Sequence, residues 1–464
     1  MEIAHFSDLH YSPERLDEAD RCFGFAVGDA IARGARVAIV SGDSTDHRLD
    51  AHSPAFSALA RQVHRLAAAM PVIMLQGTFS HEPPGTLDVF ALMGQANEVF
   101  VANRIQQVAL VHGRFEASAG PIFNEEELAR VTAMQPDAVF TCLPTINKGQ
   151  FAASVGALAA ATDLGDVLAT YLAASGKVNA RLRDASIATV GISHGTVVGC
   201  ETEHGVTMAG FDHEFSLSAL FDAQCSAFLL GHIHKYQWWE RAGQLIAYPG
   251  SIGRFHYGEQ GEKGYLLWEV DTHVASAELV PTPARRMLCV DFDGPPDMER
   301  LAKFAAESGD AFVRVRWQVD EEHRQSVDRA AIEAMLAHAP GVRIEPRILP
   351  VVRSRAEGIS LETSVDAKLA RWCELTDVQA SPLLERLQLL EAGDANSIAQ
   401  SVLAGLDDAP AAASSAAPLV LVDNSAPDVA VEPPEKPLEP LVPLSTQPSG
   451  APEVDWLEGD LFAA

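Results

Sequence analysis

The feature that most constrains this chain is a recurring unit: a short apolar run, a turn carrying acids or histidines, and then a helical stretch. Glu2-Ile3-Ala4-His5-Phe6-Ser7 runs into Asp8-Leu9-His10, Val37-Ala38-Ile39-Val40 into Ser41-Gly42-Asp43-Ser44-Thr45-Asp46, and Val72-Ile73-Met74-Leu75 into Gly77-Thr78-Phe79-Ser80-His81-Glu82. Later, Ile187 to Ile192 leads to Ser193-His194-Gly195, and Ala227-Phe228-Leu229-Leu230 to Gly231-His232-Ile233-His234. Continuous apolar runs of four to six residues, alternating with helical periodicity over Asp17 to Arg33 and His52 to Ala69, read as buried strands in an α/β fold. In such sheets the loops leaving the carboxyl ends of strands form the sites, and every polar cluster here lies in such a loop.

The pairs Asp8/His10 and His232/His234 sit at i and i+2, so each pair points the same way from its strand end. Together with Asp43 and His194 they make six candidate ligands, with Ser80 and His81 at a further strand end. Carboxylate mixed with imidazole suits divalent first-row metals, manganese first, with magnesium, iron or zinc as alternatives. Two such ions can hold the attacking and leaving oxygens of a phosphate ester, so the expected reaction class is phosphoester hydrolysis.

Composition narrows the rest. A chain of 464 residues has length for two or three units, and its formal charge of −29 repels polyanions unless basic residues are gathered on one face. From Asp407 onward there are eleven acids against one lysine, so about ten of those charges sit in the tail. No apolar run reaches transmembrane length, and MEIAHFSDLH is not a signal peptide, so no membrane association and a cytoplasmic location are expected. Six cysteines without a CxxC pair suit reduced, mostly buried thiols.

The motifs DLH at 8–10, GDSTD at 42–46, the GxxSHE variant at 77–82, SHG at 193–195 and GHIH at 231–234 resemble the calcineurin-like metallophosphoesterases, over roughly residues 1–270. Within that superfamily the chain is most similar to the SbcD-type DNA repair nucleases, through its length, Tyr248-Pro249-Gly250-Ser251, Lys263-Gly264 and a small domain after the core. The resemblance implies a two-sheet sandwich flanked by helices. Asp8, His10 and His234 would hold one metal, His194 and His232 the other, and Asp43 would bridge them. His81 would stabilise the transition state or protonate the leaving oxygen, and Asp46 and Glu82 would orient histidines from behind. The family has GNHD where this chain has Gly77 to Glu82, so either Ser80 or Thr78 stands in for the asparagine ligand.

Four regions are expected: a metallophosphoesterase domain over 1–280, a small α/β capping or DNA-binding domain over 285–355, a helical pair over 360–404, and a disordered acidic, proline- and alanine-rich tail over 405–464. The cap holds Arg314, Arg316, Arg324, Arg329, Arg343, Arg347, Arg353 and Arg355, either a DNA grip or a solvated surface. By resemblance the helical pair docks an SMC-like coiled-coil ATPase, giving a homodimeric nuclease within an SbcCD-like heterotetramer. Gly459-Asp460-Leu461-Phe462 resembles the end of a sliding-clamp-binding peptide. The expected function is a two-metal phosphodiester hydrolase acting on DNA in repair and recombination. The alternatives are a small-molecule phosphodiesterase or phosphatase, and a non-catalytic metal-binding scaffold. His47 and His256 are the other histidines expected near the site.

Overall fold

A computed structural model describes residues 1–93, 96–146, 157–203, 214–350 and 358–407. They form two compact units, one over Met1–Leu349 and one after it. Among the described residues no helix is long and apolar enough to cross a membrane.

The first unit is mixed α/β with two large sheets. Strands β1 (Glu2–Phe6), β2 (Val37–Val40), β3 (Val72–Leu75) and β4 (Val99–Ala102) run parallel, and helices α1 (Leu16–Ala32) and α2 (Pro54–Ala69) form the β1–β2 and β2–β3 crossovers. The chain then builds a second sheet from β5 (Gln106–Val111), β6 (Arg114–Ala117), β7 (Ala138–Leu143) and β8 (Ala188–His194). A two-stranded ribbon of β9 (Thr196–Val197) and β10 (Glu214–Phe215) follows. Next come β11 (Ala227–Gly231), β12 (Gln237–Arg241) and β13 (Gln244–Tyr248), which complete the second sheet in the order β12-β13-β11-β8-β7-β5-β6. Strands β14 (Gly264–Val270) and β15 (Ala275–Pro281) return to the first sheet, in the order β15-β14-β1-β2-β3-β4. The run from Lys263, which reads in the sequence as an edge or meander strand, becomes β14 and pairs antiparallel with both β1 and β15.

One core joins the sheets. Ile3, Val37, Ile39, Ile73 and Leu75 of the first meet Val108, Leu110, Phe140, Val190, Ile192, Leu229 and Ala247 of the second. The opposite face of the first sheet, with Ala4, Phe6, Val40 and Met74, packs on Phe23 and Val27 of α1 and Leu59, Val63 and Leu66 of α2. Because β2 and β3 are covered on both faces, their sequences are apolar throughout rather than alternating. The outer face of the second sheet, with Phe228, Leu230 and Ile246, packs on the long helix Ala157–Asp184 at Leu168 and Leu172. Phe151 to Arg183, rich in alanine and leucine, reads in the sequence as one or two helices; its residues 151–156 lie outside the described residues.

After the linker, Met287–Asp293, Phe312–Asp320 and Val342–Leu349 form a three-stranded parallel sheet, with helices Met298–Ser308 and Arg329–Met335 in the crossovers. Alternation in the central strand sends Val313, Val315, Trp317 and Val319 into its core with Leu301 and Ile332. This small sheet is tied to the main body by the Glu18 carboxylate, which accepts from the Arg285 amide (2.7 Å) and its guanidinium (3.3 Å). Tyr257 Oη also donates to the Val313 carbonyl (3.1 Å).

Among its described residues the second unit has three α-helices, Val365–Thr376, Ser381–Ala392 and Ala395–Asp407, where a pair was expected. The third starts because the Asp394 carboxylate accepts from the amides of Asn396 (3.0 Å) and Ser397 (3.2 Å) and caps it. Residues 408–464, including Gly459–Phe462, and Arg353 and Arg355 lie outside the described residues.

His5 on β1 is fully buried, with Nε2 2.8 Å from Ser41 Oγ and the Trp268 indole donating to its Nδ1 (3.4 Å). Burial pushes its pKa down to about 3, so it folds neutral. The unfolded chain takes up a proton near pH 6.5 that the folded chain refuses. This contribution to stability is therefore complete above pH 6.5 and is lost as the pH falls towards 3, at up to about 1.4 kcal/mol per pH unit. His5→Gln, which cannot titrate, should show a flatter decline of unfolding free energy between pH 6 and 4 than the natural chain, measured by urea unfolding.

Candidate metal centre

The six histidines and carboxylates meet at the carboxyl ends of β1, β2, β8 and β11. Backbone bonds fasten the first two loops together: Asp8 N to Gly42 O (3.1 Å), His10 N to Asp43 O (3.1 Å) and Tyr11 N to Ser44 O (3.0 Å). The loops pay a conformational cost to do so. Among the described residues ten non-glycine residues have left-handed backbone, and four of them are Asp8 (φ 51°), His10 (45°), Asp43 (51°) and His232 (99°). Such conformations cost about 1–3 kcal/mol each and persist where the surroundings dictate them.

Two groups of ligand atoms result, each within 4.8 Å: Asp8, His10 and His234, and Asp43, His194 and His232. In the first, His10 Nε2 faces His234 Nε2 at 3.0 Å, with Asp8 Oδ1 3.8 Å from the latter. Both imidazoles have their other nitrogen turned to a carboxylate: His234 Nδ1 to Glu259 Oε1 (2.8 Å) and His10 Nδ1 to Asp46 Oδ1 (3.3 Å). A proton on each Nδ1 leaves two bare Nε2 lone pairs pointing at each other, an arrangement that repels unless a cation lies between. The Asp8 carboxylate accepts from Ser7 Oγ (2.6 Å) and the His232 amide (3.1 Å).

In the second group, His194 donates from Nδ1 to the Ser41 carbonyl (2.8 Å), which aims Nε2 at Asp43 Oδ2 (3.2 Å). Burial alone would raise the Asp43 carboxyl and lower His194; their mutual attraction outweighs it, holding Asp43 below and His194 above the ordinary range. Both donor sets, borderline nitrogen with hard oxygen, fit a divalent first-row cation.

Of Ser80 and Thr78, it is Thr78 that contacts the second group. Thr78 Oγ1 lies 3.3 Å from Asp43 Oδ2 and 3.2 Å from His194 Nε2, and its amide donates to Asp43 Oδ1 (2.7 Å). Ser80, expected among the metal ligands, is exposed in the turn that follows Thr78. His81 is at the rim: its Nδ1 faces the Asp46 carbonyl and its Nε2 is 4.0 Å from Asp43 Oδ2. Asp46 thus supports His10 with its carboxylate and His81 with its carbonyl. Glu82, expected to orient a histidine, instead accepts from the backbone amides of Gly77 (2.6 Å) and Ser44, bracing the two loops that flank Asp43. Burial, and next the nearby Asp43 charge, push its pKa up to about 7.

Glu259 is a contributor that carried no motif of its own. Gly42, Gly77 and Gly231, which open three of the motifs, contribute by their lack of a side chain: a methyl at Gly231 would overlap Ser41 O, Ser7 Oγ and His194 Nδ1, one at Gly77 would overlap Asp43, and one at Gly42 would overlap His194. Of the remaining histidines, His256 stacks on His234 (centroids 5.7 Å apart, 18° between planes), and His47 Nδ1 lies 3.3 Å from Asp46 Oδ2.

Among solved structures, the chain is similar at low identity to GAP50, the anchor in the inner membrane complex of Plasmodium (12% identity, TM-score 0.37, covering 62% of this chain and 86% of that one). It is also similar to a dimetal phosphatase from Danio rerio (11%, 0.35, 60% and 98%) and to zinc-complexed Vps29 from Entamoeba histolytica (10%, 0.24, 61% and 99%). No family model and no curated protein matches it.

The placement of Thr78 has a direct test. Thr78→Val should weaken divalent-ion binding about tenfold or more in calorimetry, whereas Ser80→Ala should bind as the natural chain does. The reverse order would put the serine back into the site.

Proposed function

We propose that the two groups hold two divalent metal ions and that the chain is a metal-dependent phosphodiester hydrolase, with DNA as its substrate. The observation that carries the hydrolase reading is the pair of carboxylate–imidazole groups on strained strand-end loops, with the Nε2 atoms of His10 and His234 3.0 Å apart in the first. Asp8, His10 and His234 would hold one ion, and His194, His232, Asp43 and Thr78 the other; sharing of Asp43 between them is part of the proposal. The chemistry such ions supply when bound is neutralisation of a phosphate ester's charge and acidification of a water.

The chain's own residues would do the rest. Ser41 and Glu259 hold the donor imidazoles in one tautomer through their Nδ1 atoms. His81, with Nδ1 turned to the Asp46 carbonyl and Nε2 at the partly exposed rim, is placed to carry a proton at Nε2 to or from the ester. Manganese is the ion we expect first, for a mixed oxygen and imidazole site.

DNA is inferred from the ordered motifs and from the small sheet that follows the core. Its arginines give little unaided grip: Arg316 is held by Asp291 (2.5 and 2.7 Å), Arg329 by Glu333 (2.9 Å) and Arg343 by Glu345 (2.5 Å). A partner would then supply affinity, and we assign that role to a coiled-coil ATPase on the helices of the second unit, where Leu361, Val365, Leu389 and Leu390 are 50–83% exposed. The same acid-paired arginines and the charge of −29 favour a second reading, a phosphodiesterase for small substrates that needs no partner.

Both readings meet in one assay: manganese-dependent hydrolysis of bis(p-nitrophenyl) phosphate and of linear double-stranded DNA, with and without a co-expressed coiled-coil ATPase. DNA cleavage abolished by chelation, with kcat lowered about 10²–10⁴-fold in His81→Ala, is the expected result. Turnover of the small diester with DNA left intact in every arm selects the second reading. No turnover of either substrate overturns the hydrolase.

A further inference from the structure

His234 is held at both ends by one buried cation. Lys263 donates from Nζ to the His234 carbonyl (2.8 Å) and lies 3.1 Å from Glu259 Oε2, while Glu259 Oε1 takes His234 Nδ1 (2.8 Å). Side chain and backbone of the histidine are thereby closed into a ring with Glu259 and Lys263. Glu259 is itself pinned, accepting from Ser251 Oγ (3.2 Å) and the Phe255 amide (3.2 Å), and Lys263 is completed by Glu203 Oε1 (2.6 Å). Glu259 and Lys263 are both buried, so the charge-assisted bonds between them are little screened by water.

Glu259 also clusters with His234 and His256 within ligand distance of one another, which would suit a third ion. Its oxygens are already taken by four donors, and the Lys263 ammonium beside them repels a second cation. The role left to it is orientation. We propose that Glu259, held by Lys263, is a positioning residue that fixes His234 with the proton on Nδ1 and the Nε2 lone pair aimed at Asp8 and His10. It thereby sets ion affinity in that group while leaving the His194 group untouched. A carboxylate behind a ligand imidazole both selects the tautomer and makes the nitrogen a better donor, and losing it costs about 10–100-fold in affinity. The affinity part rests on the two-ion reading above; the tautomer part does not.

The test uses the full chain as Glu259→Gln, which keeps the shape, and as Glu259→Gln/Lys263→Met, which removes both charges of that pair and leaves Glu203 as the carboxylate that loses its lysine. Manganese titration by calorimetry should show two ions in the natural chain. In Glu259→Gln one of them should bind about 10–100-fold more weakly, and the other should be unchanged. The double variant should recover thermal stability without recovering that affinity. Nitrogen-15 NMR of the metal-free chain should show His234 protonated at Nδ1 in the natural protein and as mixed tautomers in Glu259→Gln. Unchanged affinity in Glu259→Gln, or affinity regained together with stability in the double variant, overturns the proposal. Three ions in the natural chain and two in Glu259→Gln would make Glu259 a ligand and overturn it as well. If the natural chain binds no manganese, the two-ion reading fails while the tautomer result still decides Glu259: a fixed Nδ1 proton lost in the variant upholds it, and identical tautomers in both overturn it.

Discussion

The hydrogen bond from His194 Nδ1 to the Ser41 carbonyl is the contact on which the rest of the site depends. His194 ends β8 of the seven-stranded sheet and Ser41 follows β2 of the six-stranded one, so this one bond joins the sheets at their shared edge. The walls around it leave no slack. Gly231 and Gly42 lie against the His194 ring and Gly77 against Asp43, each close enough that a single methyl would overlap its neighbour. Interiors at this density do not deform gradually, so the inter-sheet core beneath, from Ile3 and Val37 to Val190 and Leu229, fixes where the imidazole sits. Core packing and ligand geometry are here one constraint.

That constraint explains which elements were legible in the sequence. β1, β2, β3, β8 and β11 are buried on both faces and end in polar turns, so both their existence and their ends show as apolar runs cut off by Asp, His or Gly. The strands that sequence reading missed lack that signature. β5 opens with Gln106-Gln107, which look like surface residues; both are buried, with Gln107 satisfied by Thr141, Asn179 and the Phe123 amide. β12 is an edge strand, Gln-Trp-Trp-Glu-Arg, with one face in solvent, and Val342–Leu349 contains a proline and alternates weakly. Helix Glu125–Ala133 did carry a usable signal, the capping box between Asn124 and Glu127.

In the site the division is similar. Asp8, His10, Asp43, His194, His232 and His234 could be proposed together because each lies at a strand end or in the loop that leaves it. Thr78 and Ser80 could not be separated, since the path of a six-residue turn is set by what packs against it. Glu259 was invisible for another reason. It stands 25 residues after His234, in a loop with no periodicity, and reaches the imidazole only because Lys263, Ser251 and the Phe255 amide gather there.

The electrostatics of the centre follow from the same packing. Around the two groups the buried acids Asp8, Asp43, Glu82 and Glu259 outnumber Lys263, the one buried lysine among the described residues. Glu82 meets this crowding by shifting its pKa up to about 7, through burial first and Asp43 second, while its oxygens stay bonded to the Ser44 and Gly77 amides. The partners of Asp8 and Asp43 are amides, hydroxyls and imidazoles, so their charge is balanced either by a protonated histidine, as the raised pKa of His194 beside Asp43 allows, or by a cation. Of the two, a divalent cation in each group satisfies its carboxylate and its converging imidazole nitrogens at once, whereas a proton on one imidazole satisfies a single contact. The fold has thus gathered negative charge and lone pairs on strained loops in an arrangement that a cation relieves more completely than any rearrangement of its own protons.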